Sequence, residues 1–449
     1  MKRQREQVRL SDHFTYKTLL RFTLPAMVMM VFTSLYGVVD GVFVTNFAGK
    51  TALAAVNFVY PVLNIISVFG FMFGAGGSAL VAKTLGEGKR ERANRLFSLF
   101  VYSAGGLGIV LAAAGFFALK PILVLLGAEG QMLSDALLYG YILLAAMPFW
   151  SLQFMFQIFF VTAEKPKLGL YVTLMAGVTN MVLDALFIPL FPAGFKLAGA
   201  AIATSLSQVV GGGLPLLYFL FKNKSLLRLT KPVLDMRAML QACTNGSSEL
   251  VTGISGSLVG LLYNSCLFDA AGEDGVAAYG VMMYVSFIFI GIFIGYSNGV
   301  APVIGYHYGA KNHGELKNLF KKSMVLILSA SVFMLVLSEL LALPLALLFS
   351  GYDAVLYEMT FEGFRIYALS FLFSGLAIFG SSFFTALNNG PVSAAISFLR
   401  TVVFQVLFVL LFSHLWQLSG IWWSVVAAEA LAVAVSVFFM VLLRKRYNY

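Results

Sequence analysis

The apolar residues of this chain are gathered into long runs that are separated by short polar segments. A helix needs about 20 mostly apolar residues to cross the roughly 30 Å hydrocarbon core of a bilayer. The runs that reach this length lie near 18–44, 52–82, 94–119, 133–160, 168–190, 197–221, 239–268, 276–306, 318–349, 360–386, 392–413 and 417–443. They lack the alternation of apolar and polar residues that is typical of membrane β-barrel strands. We therefore predict an all-α polytopic membrane protein with twelve transmembrane helices.

The composition supports this prediction and excludes several classes of soluble protein. Of the 449 residues, 60% are hydrophobic and only 11% are charged, whereas soluble domains carry about one-quarter charged residues. One or two soluble cores could not keep this much apolar surface out of water. The two cysteines and four histidines show no spacing typical of a disulfide framework or a metal site. Soluble enzymes, disordered proteins and secreted disulfide scaffolds are therefore excluded.

The positive charges predict the orientation in the membrane. Of the 30 Lys and Arg residues, 25 fall in the amino-terminal arm, in alternate loops and in the carboxy-terminal tail, and only Lys50, Lys120 and Lys196 fall on the opposite side. Because Lys and Arg accumulate in cytoplasmic loops, both termini should be cytoplasmic, in a plasma or inner membrane. The net charge of +10 is thereby explained by topology, and we expect no nucleic-acid partner.

The two halves of the chain repeat each other. A shift of 223 residues places Gly76 on Gly299 and Gly86 on Gly309, and it superposes the basic loops that follow the second and eighth spans. Six spans in each half give both halves the same orientation, as in parallel repeats related by an axis along the membrane normal.

This repeat predicts two pseudo-symmetric six-helix lobes around a central cavity. The amino-terminal lobe should cover 1–221 and the carboxy-terminal lobe 239–449, with a basic cytoplasmic linker at 222–238 between them. Two bundles around a cavity are typical of transporters that open to each side of the membrane in turn.

Acidic residues within the spans are the main candidates for function. A charged group at mid-membrane costs about 2.5–3.5 kcal/mol on insertion scales, so such groups are usually paired or functional. Asp40 follows Tyr36 by one helical turn, and Asp184 follows Asn180 in the same way. Together, two carboxylates, an amide oxygen and a hydroxyl can bind a proton or Na⁺. The alternative is that each Asp caps a kink or meets a backbone donor.

The other charged residues in the spans have simpler interpretations. Glu249 should lie near the start of span seven, where a helix N-terminus would stabilise it. We expect Glu339 to be structural, near the outer interface, and Arg400 and Glu429 to neutralise each other. Glycine and proline clusters are expected to interrupt helices at Pro25, Pro61 and 211–215.

These motifs resemble the MATE family, the multidrug and toxic compound extrusion transporters. The most specific part is Leu35–Val44, which reads LYGVVDGVFV, and the resemblance continues at Asn180-x-x-x-Asp184 and at Leu197–Thr204. It covers nearly the whole chain. The resemblance implies twelve spans in two lobes, and export of compounds in exchange for H⁺ or Na⁺.

The resemblance also implies a site in the amino-terminal lobe. The coupling residues, which would also be the Na⁺ ligands if Na⁺ is used, are Asp40, Asn180, Asp184 and Thr204. The substrate-cavity residues are Tyr36, Tyr139, Gln157 and, as a secondary candidate, Glu249. The chain departs from the family at Lys165, where a glycine is common, and span ten has no mid-helix acid. Because this speaks against the carboxy-terminal cation site of another branch, we place coupling in the amino-terminal lobe.

We thus expect a monomeric antiporter in contact with membrane lipid, without a cofactor and without enzymatic activity, that exports a small organic compound. Spans rich in Phe, Tyr and Met, with a few acids and no Lys, favour an amphiphilic cation. One alternative is a lipid-linked oligosaccharide flippase of the same superfamily. Another is a membrane-embedded enzyme with an Asp40/Asp184 pair, and a receptor or scaffold also stays open.

Overall fold

The computed structural model describes residues 8–44, 50–192, 195–351 and 353–449, without the side chains of 38, 41, 42 and 50–54. The basic residues at 2, 3 and 5 therefore lie outside the described part, as do the side chains of Lys50 and of Val38, Gly41 and Val42 in the family motif. The regular structure of the described residues is helical throughout.

The first half contains six helices. They are α1 (Tyr16–Phe43), α2 (Lys50–Gly86), α3 (Arg90–Leu125), α4 (Gly130–Thr162), α5 (Pro166–Leu190) and α6 (Lys196–Leu220). The helices continue through Pro25, Pro61 and Pro215, so the expected interruptions at these prolines are wrong. Close packing by neighbouring helices holds the backbone helical there despite the missing N–H groups.

The second half contains longer elements with breaks. They are α7 (Met236–Gly309), α8 (His313–Ser350), α9 (Ala354–Ala368), α10 (Phe371–Ala386), α11 (Gly390–Phe398), a π-helical segment (Leu399–Val403) and α12 (Phe404–Tyr447). Gly272 in α7 and Gln417 in α12 have positive φ angles of 64° and 49°, which turn the chain back. The α9–α10 pair is bent by 46° and forms one broken span.

These breaks reconcile the helices with the predicted spans. In the described ranges, nine helices are long and apolar enough to cross a membrane, or ten if α9 and α10 count as one span. Dividing α7 at Gly272 and α12 at Gln417 gives twelve segments. Both turns fall in the gaps between the predicted spans, so the sequence placed them correctly.

The internal repeat is visible in the contacts between the halves. A Cβ atom added to Gly86 at the end of α2 would overlap the carbonyl oxygen of Tyr306, and one added to Gly309 at the end of α7 would overlap that of Lys83. A shift of 223 residues converts one contact into the other. The two halves are therefore related by a pseudo-two-fold axis that passes between α2 and α7, as the parallel repeat predicts.

The halves pack tightly near the basic loops. The backbone of α2 meets α7 at Gly76 and Ala242, and again at Met72 and Gly246, without room for a Cβ atom on either glycine. Gly256, further along α7, has no atom of a neighbouring element within 4 Å of such a position. The structure is thus closed between the halves at the basic end and open further along.

The connection between α6 and α7 is fixed to the first half. Arg90 at the start of α3 donates hydrogen bonds to the carbonyl groups of Ser225 and Leu226 at 3.2 and 3.3 Å. The amide of Arg228 donates to Asn94 Oδ1 at 3.0 Å. The division of the chain at this connection into lobes 1–221 and 239–449 stays a prediction.

The segment 8–15 before α1 joins the two halves at the basic end. Its Leu10 amide donates to Glu164 Oε1 at 2.6 Å in the loop between α4 and α5, and its Phe14 amide donates to Glu315 Oε1 at 2.9 Å in the first turn of α8. His13 Nδ1 lies 2.6 Å from Glu315 Oε2. Burial raises the pKa of the Glu164 carboxyl above its ordinary value, although the Leu10 amide opposes the shift. We call this segment the bridging segment.

Candidate functional site

Asp40 and Asp184 face each other between two helices of the first half. Asp40 lies in the last turn of α1, and Asp184 lies in the second half of α5, where its side chain is fully buried. Their carboxyl groups are close enough to share a hydrogen bond when one of them carries a proton. The two acids that the sequence singled out are therefore neighbours in the fold.

A glycine lets α1 approach α5 at this point. A Cβ atom on Gly177 would overlap the ring of Phe32 and lie 3.1 Å from the ring of Tyr36. Asp40 follows Tyr36 by four residues and Asp184 follows Gly177 by seven, so each acid lies on the face that its helix presents to the other. The close approach of the helices thus positions the two acids.

Asn180 and Thr204 lie beside the acids and contribute neutral oxygen atoms. Asn180 Nδ2 donates a hydrogen bond to Thr204 Oγ1 at 3.3 Å, which joins α5 to α6. The Oδ1 atom of Asn180 has no partner among the described residues. Tyr139 of α4 is buried within hydrogen-bonding reach of Thr204 and within electrostatic range of both acids. Three predicted residues therefore surround the acid pair.

Two further polar residues complete the cluster, and the sequence reasoning missed both. Tyr60 of α2 lies within electrostatic range of Asp40 and Tyr36, and Gln153 of α4 lies within hydrogen-bonding reach of the Tyr36 hydroxyl. Gln153 and Gln157 share one face of α4. The sequence could not tell which of these two glutamines meets α1, but it could have found Tyr60 as a polar residue beside Pro61.

Gln157 lies apart from this cluster. It is one turn beyond Gln153 towards the basic loops, and its distance from Tyr139 along α4 is about 27 Å at 1.5 Å per residue. Its side chain is buried, and neither amide atom has a hydrogen-bond partner among the described residues. The structure does not bring Gln157 to the site where the resemblance placed it.

The acid pair lacks a positive partner. Neither oxygen of Asp184 nor the Oδ1 atom of Asp40 makes a hydrogen bond with the described residues, and the ion pairs found among those residues do not include either acid. Two buried carboxylates without a counter-charge are unfavourable. The arrangement therefore favours taking up a proton or a cation between them.

The donor set fits H⁺ or Na⁺ better than a transition metal. The described part of the chain holds no group of three or more His, Cys, Asp or Glu side chains that could bind a metal ion. The cluster instead offers carboxylate, amide and hydroxyl oxygens, which hard cations prefer.

Glu249 lies in a different place from the acid pair. It lines a cavity of about 520 Å³ that is bounded by α2 and by helices of the second half. It is 13 residues inside α7, or about 20 Å from its start. The expectation that a helix N-terminus stabilises Glu249 is therefore wrong, because the effect fades within the first turn. Tyr60 lines the same cavity and so lies between Glu249 and the acid pair.

The second half has a neutral pair where the first half has its acids. A shift of 223 residues places Asp40 on Tyr263, and the shift of 221 that relates the last helices places Asp184 on Gln405. The Tyr263 hydroxyl donates to Gln405 Oε1 at 2.6 Å. The pseudo-two-fold axis therefore relates a pair of ionisable groups to a satisfied neutral hydrogen bond.

The remaining charges in the spans are paired. Arg400 Nε donates to both carboxylate oxygens of Glu429 at 3.0 and 2.9 Å, and both side chains are largely buried. The predicted neutralisation of Arg400 by Glu429 is thus confirmed. Glu339 accepts a hydrogen bond from Arg365 Nε at 2.9 Å in a pair that is partly exposed, which fits a structural role.

Comparisons with known proteins agree with this architecture. A model of the MatE family matches residues 25–186 and again residues 250–411. The multidrug export protein MepA of Staphylococcus haemolyticus (strain JCSC1435) is 26% identical over 436 residues, which cover 96% of this chain and 94% of that protein.

Two solved structures have the same fold. One is the outward-facing conformation of a multidrug resistance MATE family transporter of the MOP superfamily, with a TM-score of 0.91, 23% identity and 99% coverage of both chains. The other is a MOP superfamily transporter from Pyrococcus furiosus, with a TM-score of 0.89, 23% identity and coverage of 97% of each chain. The work on that transporter reports a binding pocket of reverse polarity.

The predicted fold class, an all-α protein of twelve membrane helices in two pseudo-symmetric six-helix lobes, is confirmed by these neighbours. The match to the family model falls once in each half, at a spacing that agrees with the internal repeat. The chain belongs to the MatE family.

Proposed function

We propose that this protein is a secondary active transporter that exports small organic compounds in exchange for H⁺ or Na⁺. The observation that carries the proposal is the buried pair of Asp40 and Asp184, whose oxygens lack partners among the described residues. Membership of the MatE family and the similarity to the multidrug export protein MepA support multidrug efflux as the kind of transport.

In this mechanism the acid pair couples ion binding to movement of the lobes. A proton or Na⁺ between Asp40 and Asp184 relieves their repulsion, and Asn180 and Thr204 supply the neutral oxygens that would complete a Na⁺ site. The ion drives transport only if its affinity differs between the two orientations of the lobes. Since Gly177 allows α1 to meet α5, a small separation of these helices would open the pair and release the ion.

We assign coupling to the amino-terminal lobe alone. The equivalent position in the carboxy-terminal lobe holds Tyr263 and Gln405, which make a short hydrogen bond. Neither group gains or loses a proton near neutral pH. The second lobe therefore lacks a counterpart of the acid pair.

We propose an amphiphilic organic cation as the main substrate class. Tyr60, Tyr139 and Tyr36 cluster around the acids, and aromatic faces together with carboxylates attract cations. Cells that express the protein should resist cationic dyes and quaternary ammonium compounds. Protection that is limited to anionic compounds would contradict this assignment.

We also propose that the protein works as a monomer in the cell membrane with both termini in the cytoplasm. The basic loops support this orientation through the positive-inside rule. The structure would then be closed on the cytoplasmic side, where the bridging segment and the glycine contacts lie, and open to the outside.

The alternatives are less well supported. A membrane-embedded enzyme is disfavoured because the relatives are transporters. A lipid-linked oligosaccharide flippase needs cations for phosphate groups, whereas Arg400 in the cavity is already neutralised by Glu429.

The decisive experiment is efflux of a cationic dye from proteoliposomes under separately imposed H⁺ and Na⁺ gradients. Asp40→Asn and Asp184→Asn remove the charge and nearly preserve the shape, so each should abolish gradient-driven efflux. The matched control is Glu339→Gln, which makes the same change at a partly exposed pair that is worth about 0–1 kcal/mol. It should leave efflux close to wild type.

The outcome also selects the coupling ion, because only the gradient that is used should drive efflux. If both Asn variants transport at wild-type rates, the coupling site is not the acid pair, and Glu249 becomes the next residue to test.

A further inference from the structure

The cavity of the carboxy-terminal lobe contains ionisable groups that the coupling mechanism does not use. Its volume of about 520 Å³ lies in the range of drug-sized ligand sites. Glu249, Arg400 and Glu429 all line it, and they come from α7, the π-helical segment and α12. Three charged groups at membrane depth are expensive to keep unless they are paired or bind something.

Arg400 is bound on one edge only. Its Nε donates to Glu429, which cancels the net charge, but its two terminal nitrogens make no hydrogen bond with the described residues. A guanidinium carries five N–H donors, so four remain for the cavity. Arg400 also lies in the π-helical segment Leu399–Val403, and such segments are frequent at functional sites because they redirect a side chain.

Glu249 is the only acid of this cavity without a partner among the described residues. It makes no hydrogen bond or ion pair with them, and the nearest opposite charge that affects it is that of Arg400. Counting the Arg400–Glu429 pair as neutral, the cavity carries one net negative charge. A ligand that satisfies the site must therefore bring a positive group for Glu249 and an acceptor for Arg400.

Aromatic rings provide an apolar wall of this cavity. The rings of Tyr263 and Tyr279 stack with centroids 5.5 Å apart, and Trp422 stacks on Tyr279 at 6.3 Å. Tyr263 is fixed by its hydrogen bonds to Gln405 and to Ser424. A planar ligand can extend this stack.

We propose that this cavity is a second ligand site, which takes planar aromatic compounds that carry both a cationic amine and a carboxylate. Arg400 binds the carboxylate through its terminal nitrogens, and Glu249 binds the amine. The proposal rests on the proposed transport function, because the ligand is an exported compound, and it widens the substrate class from cations to zwitterions. A phosphate-rich ligand does not fit, since Glu249 and Glu429 outnumber Arg400.

The test compares two dyes with the same ring system. Rhodamine 110 carries a carboxylate, and rhodamine 123 carries the methyl ester in its place. Their affinities for the purified full-length protein are measured by fluorescence anisotropy without any ion gradient. The key variant is Arg400→Gln with Glu429→Gln, which removes both charges together and leaves no unpaired acid behind.

This variant should weaken rhodamine 110 binding about tenfold, because a charge-assisted hydrogen bond is lost. Rhodamine 123 should bind within about twofold of wild type, and its retained binding shows that the variant is folded. Glu249→Gln should weaken both dyes, and Glu339→Gln should weaken neither. If the double variant does not elute as a single species, Arg400→Lys replaces it, since Lys keeps the charge but loses the planar fork.

Unchanged rhodamine 110 binding in these variants, equal weakening of both dyes, or no binding of rhodamine 110 to wild type would each overturn the proposal. The measurement needs no gradient, so it is separable from the transport proposal. Loss of efflux with the dye pattern intact would count against the coupling mechanism alone.

Discussion

Closure at the basic end depends on two glycines that the pseudo-two-fold axis relates, and adding one methyl group there should open it. A Cβ atom at Gly309 would overlap the carbonyl oxygen of Lys83, and one at Gly86 would overlap that of Tyr306. Both obstacles are backbone atoms of helices, which cannot move aside as a flexible side chain can. Overpacking of this kind costs about 1–3 kcal/mol. Gly309→Ala should therefore shift the balance between closed and open basic ends by roughly 5-fold to 150-fold.

The shift can be measured as a distance between spin labels. Cysteines placed at Glu91 and Lys317, exposed near the starts of α3 and α8, report the separation of the halves in a background without the native cysteines. Gly309→Ala should increase the long-distance population. The control is Gly106→Ala in α3, where the added Cβ would meet no neighbouring atom within 4 Å. A Gly309→Ala distribution identical to wild type and to this control would refute the idea that closure needs this contact.

Three further predictions follow from other contacts. A cysteine in the Ala270–Gly275 loop should react with an impermeant thiol reagent in intact cells, and one in Asn312–Leu316 should not; the opposite pattern would invert the orientation. Glu315→Gln should loosen the bridging segment, lower the free energy of unfolding by about 1–3 kcal/mol and increase opening at the basic end, measured by thermal unfolding and spin-label distances; unchanged values would mean that the segment only rests there. Tyr263→Phe should cost about 1–3 kcal/mol of stability because Gln405 Oε1 loses its donor, yet gradient-driven efflux should persist; loss of coupling would show that the second lobe takes part.

The sequence predicted the spans and the turns between them well, because long apolar runs and short polar gaps are local signals. Gly272 and Gln417 fall in the predicted gaps. The bend between α9 and α10 falls near Leu369 and Ser370, where neither glycine nor proline marks it. The π-helical segment at Arg400 was also hidden, because an extra residue in a helical turn depends on packing rather than on local propensity.

The site was predictable only in part, since a helix pattern fixes faces but not neighbours. The four-residue spacing of Tyr36 and Asp40 placed both on one face, yet nothing local revealed that Tyr60 would join them. Glu249 was assigned to a helix end because the apolar run hides how far α7 extends beyond it. Applying the internal repeat to Asp40 would have pointed to Tyr263 as its neutral counterpart.

The bridging segment also has a consequence for the assembly of the chain during synthesis. Leu10 and Phe14 emerge from the ribosome among the first residues, but their partners Glu164 and Glu315 follow 154 and 301 residues later. At 5–20 residues per second, the Phe14 partner appears roughly 15–60 seconds after Phe14 itself. The segment must therefore wait, uncovered, until α8 has been inserted. Its protection from a protease would be a marker that both halves have come together, and nascent chains stalled before Glu315 should be cut there.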